Sequence, residues 1–496
     1  MAIKRYTADA DTTITNAYKE NLSTRGTGSN SGESENIEVF SIYAQATTSS
    51  TADSSGEAAN RERARMLVKF PISDITTDRN NKDIPASGSV SFYLNLYNAR
   101  HTNTLPDNFT LAIQAVSADW EEGYGIDLDE YEDKTHDVEG ANWDKRAAST
   151  AWTAKGGDVH AAPAFSQIFS GGVEDLSVDI SSLVEQWIAG TKNNYGVRIA
   201  LTASQETSTS RSYYTKRFYS RHADNKFFLK PVIEARWDDS LTDDSANFYL
   251  SSSLAPAADN LNTIYLYNRI RGQMVDVAAL GANQSASTKL HVKMYATLGG
   301  AAKSHPVGGG VTVNAKPIIT ASWVETGVYS ASFAYTGSET TLYPVWQTTA
   351  GAELHSGSAI TVNSFSAAAD NAETQYVTTI TNLKASYTRK EVARFRLYIR
   401  NKDWSPTVYT TSTTAANSVI IPSAYWRLHR IKDDLEIFEY GTGSTNHTKL
   451  SYDQSGSYFD LDMNMLEAGY AYGLKFIYEI HGNYHEQPDT FKFRVD

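Results

Sequence analysis

Cysteine is absent from this chain of 496 residues. Its absence excludes disulfide bonds, thiolate nucleophiles and zinc–thiolate sites together. We therefore expect the chain to be made in a reducing cytosol and to be stable without disulfide cross-links.

Long apolar runs are also missing. Mean hydropathy is −0.42, and no run approaches the roughly 20 apolar residues that a membrane helix requires. The opening sequence MAIKRYTADADTTI has no apolar h-region of the kind a secretory signal carries. The sequence thus predicts neither membrane insertion nor a signal peptide.

Positive charge is in short supply. The 44 basic residues are outnumbered by 57 acidic ones, and the net charge is −13. Because no basic block offsets this balance, the sequence predicts no binding to nucleic acid. Tyrosine, by contrast, is frequent at 30 residues, which favours strands and broad amphipathic contact surfaces.

One stretch, DISSLVEQWIAGTKNNYGVRIAL, predicts a short helix, a turn and a strand. An apolar helical face is formed by Leu183, Val184, Trp187 and Ile188. Asp179 and Ser181 can accept hydrogen bonds from the first turn, and Gly190 suits a left-handed C-cap. We expect this face to cap one open end of the first domain, so that Trp187 has a packing role.

The rest of the chain is typical of strands. Its length suggests about three or four domains, and acidic or polar segments at 238–247 and 366–373 are predicted linkers. The fold class predicted is all-β, with three consecutive β-sandwich domains. These are a jelly-roll-like domain with one short helix over 1–238, an immunoglobulin-like sandwich over 239–364 and a C-terminal sandwich over 365–496.

The predicted strands alternate in side-chain character with a period of two. Phe109–Val116 is expected to pair with the strand before it. The clearest are Asn36–Tyr43, Arg63–Ile72, Ser89–Arg100, Phe109–Val116, Pro231–Trp237, Thr263–Met274, Thr288–Thr297 and Ala393–Arg400.

Several motifs in the first half occur in a recognisable order. They are DADT, RMLVKFPIS, SFYLNLYNA, DWEEGYG with NWDKR, VDISSLVEQWIAGTKNNYGVRIAL, and FYSRHADNKFFLKPVIEARW. This order resembles the DNRLRE family of β-sandwich domains over almost half of the chain, although the family's characteristic tail here reads SRHADNKFF. The resemblance implies a jelly-roll-like sandwich of the kind found in carbohydrate-binding, surface and virion proteins. It transfers no sugar site.

The C-terminal region carries a second resemblance. Its segments KLSYD, YFDLDM, LEAGYAYGLKF and TFKFRVD are similar to a sandwich module repeated in structural proteins of large tailed bacteriophages. The likeness lies in the style and order of the segments and not in a chemical motif.

Three places invite a metal reading. The acidic loop Asp127–Asp133 could supply oxygen ligands to Ca²⁺, but it lacks the EF-hand spacing and also reads as a solvated loop. Asp9 and Asp11 raise the same question, and a charge pair on an edge strand is the simpler interpretation. His481 and His485 are four residues apart, yet Gly482 stands where HExxH has glutamate.

Other chemical signatures are weak. Gly308–Gly310 precedes a strand and so cannot present a helix N-terminus to phosphate, and no G-x-S-x-G elbow is present. Paired carboxylates of a glycosidase are expected by chance among so many acidic residues. Trp120, Trp143 and Trp152 could stack on sugar rings, or they could anchor a core or loop. The sequence therefore predicts no catalytic, cofactor or metal-binding residues.

The leading hypothesis is a non-enzymatic structural protein of a tailed-phage virion, assembled in the host cytoplasm and acting through protein–protein contacts. Its partners would be other virion proteins and copies of itself as a homo-oligomer. Head decoration, neck or collar, and tail or baseplate remain open as its position. The alternative is a module or fibre that binds a host-surface glycan or receptor. A polysaccharide lyase or glycosidase is the third hypothesis. Such an enzyme needs a long catalytic groove on a β-helix or barrel, and neither repeats nor motifs indicate one.

Overall fold

Strands account for 44% and helices for 8% of the residues that the structure describes, which confirms the all-β, multi-sandwich prediction. The computed structural model describes residues 2–53, 56–101, 106–126, 140–280, 290–302, 317–364, 375–405, 407–408 and 418–496. The chain divides into two compact units. Unit 1 is Met1–Asp238 with Gly443–His447, and unit 2 is Asp239–Thr442 with Thr448–Asp496.

Unit 1 contains thirteen labelled strands and three short helices within its described residues. In chain order they are β1 (Ile3–Thr7), β2 (Ala10–Thr15), β3 (Asn36–Tyr43), β4 (Arg61–Lys69), α1 (Ile72–Asn81), β5 (Ser91–Leu96), β6 (Phe109–Val116), β7 (Lys145–Ala147), β8 (Thr150–Ala151), β9 (Val159–Phe169), β10 (Leu176–Asp179), α2 (Ser181–Ile188), β11 (Val197–Leu201), α3 (Ala203–Glu206), β12 (Ser212–Tyr219) and β13 (Val232–Arg236).

Two sheets form the body of unit 1. The smaller has the order β1-β13-β5-β10, and the larger has the order β12-β3-β4-β11-β6-β9 with β2 also paired to β4. Alternate residues of β5 and β6, including Phe92, Leu94, Leu111 and Ile113, are fully buried in one core. This alternation follows from the two-residue period of a strand, which sends every second side chain to the same face.

The predicted pairing of β6 with β5 is wrong. β6 pairs with β11 and β9 in the larger sheet, whereas β5 pairs with β13 and β10 in the smaller one. Alternation identifies a strand but does not choose its partner, because both strands bury equally apolar faces in the same core.

Helix α2 lies where the sequence predicts it. Leu183, Val184 and Trp187 are buried in the core, and Gly190 is left-handed with φ +68°. Asp179 Oδ1 accepts the Ser181 N–H at 2.8 Å, while the Ser181 hydroxyl accepts instead from the Phe92 N–H at 2.8 Å. The chain enters α2 from the smaller sheet and leaves it into the larger one.

The expectation of a single helix is too low. Helix α1 follows directly after Pro71, yet only Ile75 among its residues is buried, so its sequence has no apolar stripe to reveal it. Helix α3 is a single turn whose Glu206 is buried. No helix in the described part of the chain is both long and apolar enough to cross a membrane.

Unit 2 is built from strands and short 3-10 turns. The turns cover Asp244–Ala246, Ala258–Asn260, Ala278–Leu280 and Met463–Met465. The strands are β14 (Leu261–Tyr267), β15 (Arg269–Ile270), β16 (Gln273–Met274), β17 (His291–Tyr295), β18 (Ile319–Thr320), β19 (Ser322–Glu325), β20 (Val328–Ala334), β21 (Thr341–Gln347), β22 (Glu353–Ser356), β23 (Ile360–Thr361), β24 (Tyr376–Ile380), β25 (Ser386–Tyr387), β26 (Val392–Asn401), β27 (Ala424–Arg430), β28 (Leu435–Phe438), β29 (Ser451–Asp453), β30 (Gly456–Asp462), β31 (Tyr470–Ile480), β32 (Asn483–Glu486) and β33 (Phe491–Val495).

Two pairs of sheets and the small two-stranded sheet β15-β16 occur in the described part of unit 2. The first pair has the orders β14-β20-β19 and β18-β17-β21-β22, with β23 also on β21. The second pair has the orders β24-β26-β30-β29 and β25-β33-β31-β27-β28, with β32 also on β31. Stacked aromatic rings fill the space between the two sheets of this second pair. The Phe459 ring centroid lies 5.1 Å from that of Phe395 and 4.9 Å from that of Trp426.

Candidate functional site

The three tryptophans considered for sugar stacking are buried. Trp143 is fully buried, and Trp120 and Trp152 are 6% and 5% exposed. With Ile14 and Leu67 they form a second core on the face of the larger sheet that points away from the main one. The core-anchor interpretation is therefore confirmed, and their use as exposed stacking platforms is wrong.

Backbone carbonyls satisfy two of these indoles. Trp120 Nε1 donates to the Tyr195 carbonyl at 2.8 Å, and Trp152 Nε1 donates to the Asn142 carbonyl at 2.8 Å. Buried indole N–H groups need such partners. These bonds fix the loops that carry the tryptophans against the sheet.

A layer of buried and half-buried arginines lies beside Trp143. Arg63 and Arg65 alternate along β4, and their guanidinium carbons lie 5.1 and 5.0 Å from the Trp143 ring centroid. Arg65 also makes a two-pronged ion pair with the carboxylate of Glu206, at 3.0 and 2.6 Å. The signal for this layer is present in the sequence RERARM, where three arginines at intervals of two must share one face of a strand.

Three of the motifs quoted for the DNRLRE resemblance meet at one point in unit 1. They contribute Asp11 from DADT, Glu122 from DWEEGYG and Arg221 from SRHAD. The Arg221 side chain pairs with both carboxylate oxygens of Glu122, its backbone N–H donates to Asp11 Oδ2 at 2.6 Å, and the Asp11 N–H donates to Glu122 Oε1 at 2.8 Å. We call these three residues the motif cluster.

Asn30 ties the loops around this cluster together. Its Nδ2 donates to the carbonyls of Glu122 and Ala141, at 2.7 and 2.8 Å, and its Oδ1 accepts from the N–H groups of Gly32 and Gly125, both at 3.0 Å. A Cβ at Gly125 would lie 1.9 Å from the Asn30 carbonyl oxygen. Only glycine fits this close approach.

The sequence suggested that Asp9 and Asp11 form a charge pair on an edge strand. For Asp11 this interpretation is wrong. Asp11 is fully buried, and burial raises its pKa to about 7, with Glu122 contributing in the same direction. Its second oxygen, Oδ1, has no hydrogen-bond partner within the described residues. The cluster thus holds a buried carboxyl group that keeps its proton to a higher pH than usual, and the Arg221 backbone N–H fixes its position.

The described residues contain no group of three or more metal-ligating side chains. His481 and His485 belong to the β31–β32 hairpin, in which His481 takes a left-handed turn conformation with φ +52°. The acidic loop Asp127–Asp133 and Gly308–Gly310 lie outside the described residues.

Unit 2 contains a cleft that no sequence pattern predicts. Its volume is about 560 Å³, and its lining includes Tyr265, Tyr267, Asp243, Asp453 and His355. The two tyrosine rings stack with centroids 6.1 Å apart. Its volume falls within the usual range of small-molecule sites, and its lining is more polar than such sites usually are.

The polar groups of this cleft differ in how far they are satisfied. Asp453 is paired with Arg396 at 2.7 and 2.6 Å. Burial raises the pKa of Asp243 to about 6, and its Oδ1 accepts from the Ser245 hydroxyl at 2.5 Å. The Tyr267 hydroxyl is buried without a hydrogen-bond partner among the described residues. The cleft therefore offers one unused donor and two acceptor carboxylates.

Comparisons with known proteins add little to this geometry. No family model matches the chain, and no curated protein sequence matches it. One matching solved structure is the Yersinia pseudotuberculosis adhesin InvE, which is 11% identical, with coverage of 50% of this chain and 57% of the adhesin chain and a TM-score of 0.15. The match thus spans little more than half of that adhesin, and at this TM-score it carries no argument about the present chain.

Proposed function

We propose that this chain is a non-enzymatic structural protein of a tailed-phage virion, with other virion proteins and its own copies as partners. The two resemblances in the sequence, to DNRLRE domains and to tailed-phage sandwich modules, support the setting. The all-β sandwich build supports a role in assembly, because such sheets present edges and faces to neighbours.

The observation that carries the assembly role is strand β9. It is eleven residues long and ends the larger sheet of unit 1. Its sequence VHAAPAFSQIF contains no Lys, Arg, Asp or Glu, although natural edge strands are usually protected by charge. Ile168 on this strand is 69% exposed. Downstream of Pro163, this edge offers backbone groups and apolar side chains to a strand of another chain.

The carboxylates brought together in unit 1 also favour assembly over catalysis. Glu206 is held by Arg65, and Glu122 is held by Arg221. A general acid or base must be free to exchange a proton with a substrate, whereas both of these groups are committed to internal ion pairs. We therefore include no catalytic step in the proposal.

Mass spectrometry of purified particles, combined with electron microscopy, tests this function. We expect the chain in stoichiometric amounts in intact particles and expect its density to occupy a repeated position in the head, neck or tail. Abundant protein in the lysate of infected cells, together with none in the particles, would refute the proposal.

A glycan-binding role is the second candidate, and the cleft in unit 2 is the observation that favours it. Sugar rings stack on aromatic faces such as those of Tyr265 and Tyr267, and their hydroxyl groups donate to carboxylates such as that of Asp243. The unpartnered Tyr267 hydroxyl would then hydrogen-bond to the sugar.

The Tyr267→Phe variant tests whether the cleft binds a glycan. If a glycan fills the cleft, the variant should bind more weakly on a glycan array, by roughly 1 kcal/mol for one lost hydrogen bond. Tyr484→Phe, which removes an exposed ring hydroxyl elsewhere in unit 2, is the matched control. Silence of the wild-type protein across the array would exclude this second function.

A further inference from the structure

Lys216 is a fully buried lysine in the middle of strand β12. Its Nζ donates to Asn98 Oδ1 at 2.6 Å and to the Gly172 carbonyl at 2.9 Å. The rings of Phe169 and Phe218 flank the amine, with centroids 5.2 and 5.0 Å from Nζ. An amine and a carboxamide are thus held together in a site that excludes water.

The backbone fixes this contact from both sides. Ala99 N–H donates to the Arg217 carbonyl at 3.1 Å, and Tyr219 N–H donates to the Tyr97 carbonyl at 3.0 Å. Asn98 itself forms an isolated antiparallel bridge with Phe218. Lys216 belongs to the larger sheet, and Asn98 follows β5 of the smaller one, so the two side chains join the sheets of the sandwich.

Burial also changes the charge of the amine. It lowers the pKa of Lys216 to about 8, against the opposing effect of Asp175 and Glu174. At pH 7 the Lys216 amine is then neutral in about a tenth of the molecules, compared with well under a thousandth for an ordinary lysine. The neutral amine is the nucleophilic form, and a fixed neighbour gives it a high effective concentration.

We propose that Lys216 and Asn98 form an intramolecular isopeptide bond. The lone pair of Nζ attacks Cγ of Asn98, and the C–N bond to Nδ2 breaks. One proton passes from Nζ to the departing nitrogen, which leaves as ammonia. The product is a secondary amide between the two sheets, and the step needs no oxidant, metal or further reactant.

Asp175 is the positioning residue of this reaction. Its Oδ1 accepts the backbone N–H of Asn98 at 2.6 Å, which sets the start of the asparagine side chain opposite the lysine. Its negative charge raises the pKa of Lys216 and so disfavours the neutral amine, which leaves the hydrogen bond to Asn98 as the contact through which Asp175 acts. We expect Asp175→Ala to slow formation of the bond in freshly purified protein and to leave the same final product.

Intact mass measured on the denatured full chain tests the proposal. Wild-type protein should be lighter than its sequence by one molecule of ammonia, and Asn98→Ala and Lys216→Met should each have their full sequence mass. Trypsin should fail to cut after Lys216 in the wild type, and the digest should contain a branched peptide that joins it to Asn98.

A second lysine–carboxamide pair serves as an internal control. Lys402 Nζ donates to Gln375 Oε1 at 2.7 Å, but both side chains are exposed, so we expect this pair to remain uncoupled in the same digest. Asn98→Asp offers a chemical check, because coupling to aspartate releases water in place of ammonia. A full sequence mass for folded wild-type protein after several days, with cleavage after Lys216, would overturn the proposal and leave Lys216 as a hydrogen-bonded buried cation.

Discussion

Arg65 and Glu206 place opposite charges in the buried layer beside Trp143. Removing one charge leaves the other without a partner away from water, which usually costs about 3–5 kcal/mol. We therefore expect Glu206→Gln to lower the free energy of unfolding of unit 1 by about that amount. Hydrogen exchange at the amides of β4, read by mass spectrometry, measures the change in unit 1 alone.

The matched control for this pair is in unit 2. Arg394 and Asp460 make the same two-pronged contact at 2.8 and 2.8 Å, but their side chains are 40% and 30% exposed. Because water screens this pair, Asp460→Asn should cost less than about 1 kcal/mol. Equal losses in the two variants would mean that the arginine layer is not sealed from solvent.

Asp11 makes the stability of unit 1 depend on pH. Its pKa of about 7 when folded lies above the usual aspartate value of about 4. Between these pH values the folded state keeps a proton that the unfolded chain has lost, so this group's contribution is complete below about pH 4 and declines as pH rises to about 7. A shift of this size corresponds to a decline of up to about 4 kcal/mol.

Asp11→Asn should remove that slope, because the variant has no ionisable group at position 11. The charged side chains that act on this position, Glu122, Arg221 and Lys230, are unchanged. We expect wild type to lose stability relative to Asp11→Asn as pH rises from 4 to 8, measured by urea unfolding at each pH. The exposed Asp83, changed to Asn, should keep the wild-type slope. Parallel curves for wild type and Asp11→Asn would show that Asp11 ionises normally.

Helix α2 gives the clearest prediction for an element. Trp187 is 5% exposed and packs in the main core of unit 1 with Leu183 and Val184. Cutting such a side chain to alanine removes buried area and leaves a cavity, so Trp187→Ala should cost about 3–5 kcal/mol. Trp404→Ala, at a 40% exposed position, should melt close to wild type. A Trp187→Ala protein that melted like wild type would show that α2 contributes little to the core.

Elements with a regular apolar pattern could be predicted from the sequence. Strands β3 and β6 have the predicted bounds, and the apolar face of α2 is buried as expected. Helix α1 could not be predicted, since it buries Ile75 alone. The pairing of β6 was also out of reach, because the choice between two sheets depends on contacts distant in sequence.

The candidate sites, like the strand pairing, depend on contacts between residues that are distant in sequence. The motif cluster joins residues about 100 and 210 positions apart in sequence, and no local sequence pattern predicts that they are in contact. The burial of Trp120, Trp143 and Trp152 depends on how their loops fold over the sheet, while a sequence shows only that the residues can fill a core or stack on a ligand. The Lys216–Asn98 contact is likewise created by the packing of two sheets.

At the scale of the whole molecule, the proposed assembly rests on strand β9, which is the last strand of the larger sheet among the described residues of unit 1. Ile168→Lys places a charge on the exposed apolar side chain of β9, and lysine is the residue that natural edge strands use against pairing. We expect wild-type protein to form oligomers or to enter particles, and we expect Ile168→Lys to reduce both while unit 1 remains folded. Native mass spectrometry of recombinant protein measures the first, and incorporation in infected cells measures the second.

Leu254→Lys is the matched control, because it makes the same chemical change at a residue that is 95% exposed and lies outside every strand. A general effect of added charge on solubility would alter both variants alike. An effect of edge pairing would alter Ile168→Lys alone, because of these two residues only Ile168 lies on the edge strand of a sheet. If Ile168→Lys assembled as well as wild type, β9 would not be the docking edge, and assembly would have to use another face of the molecule.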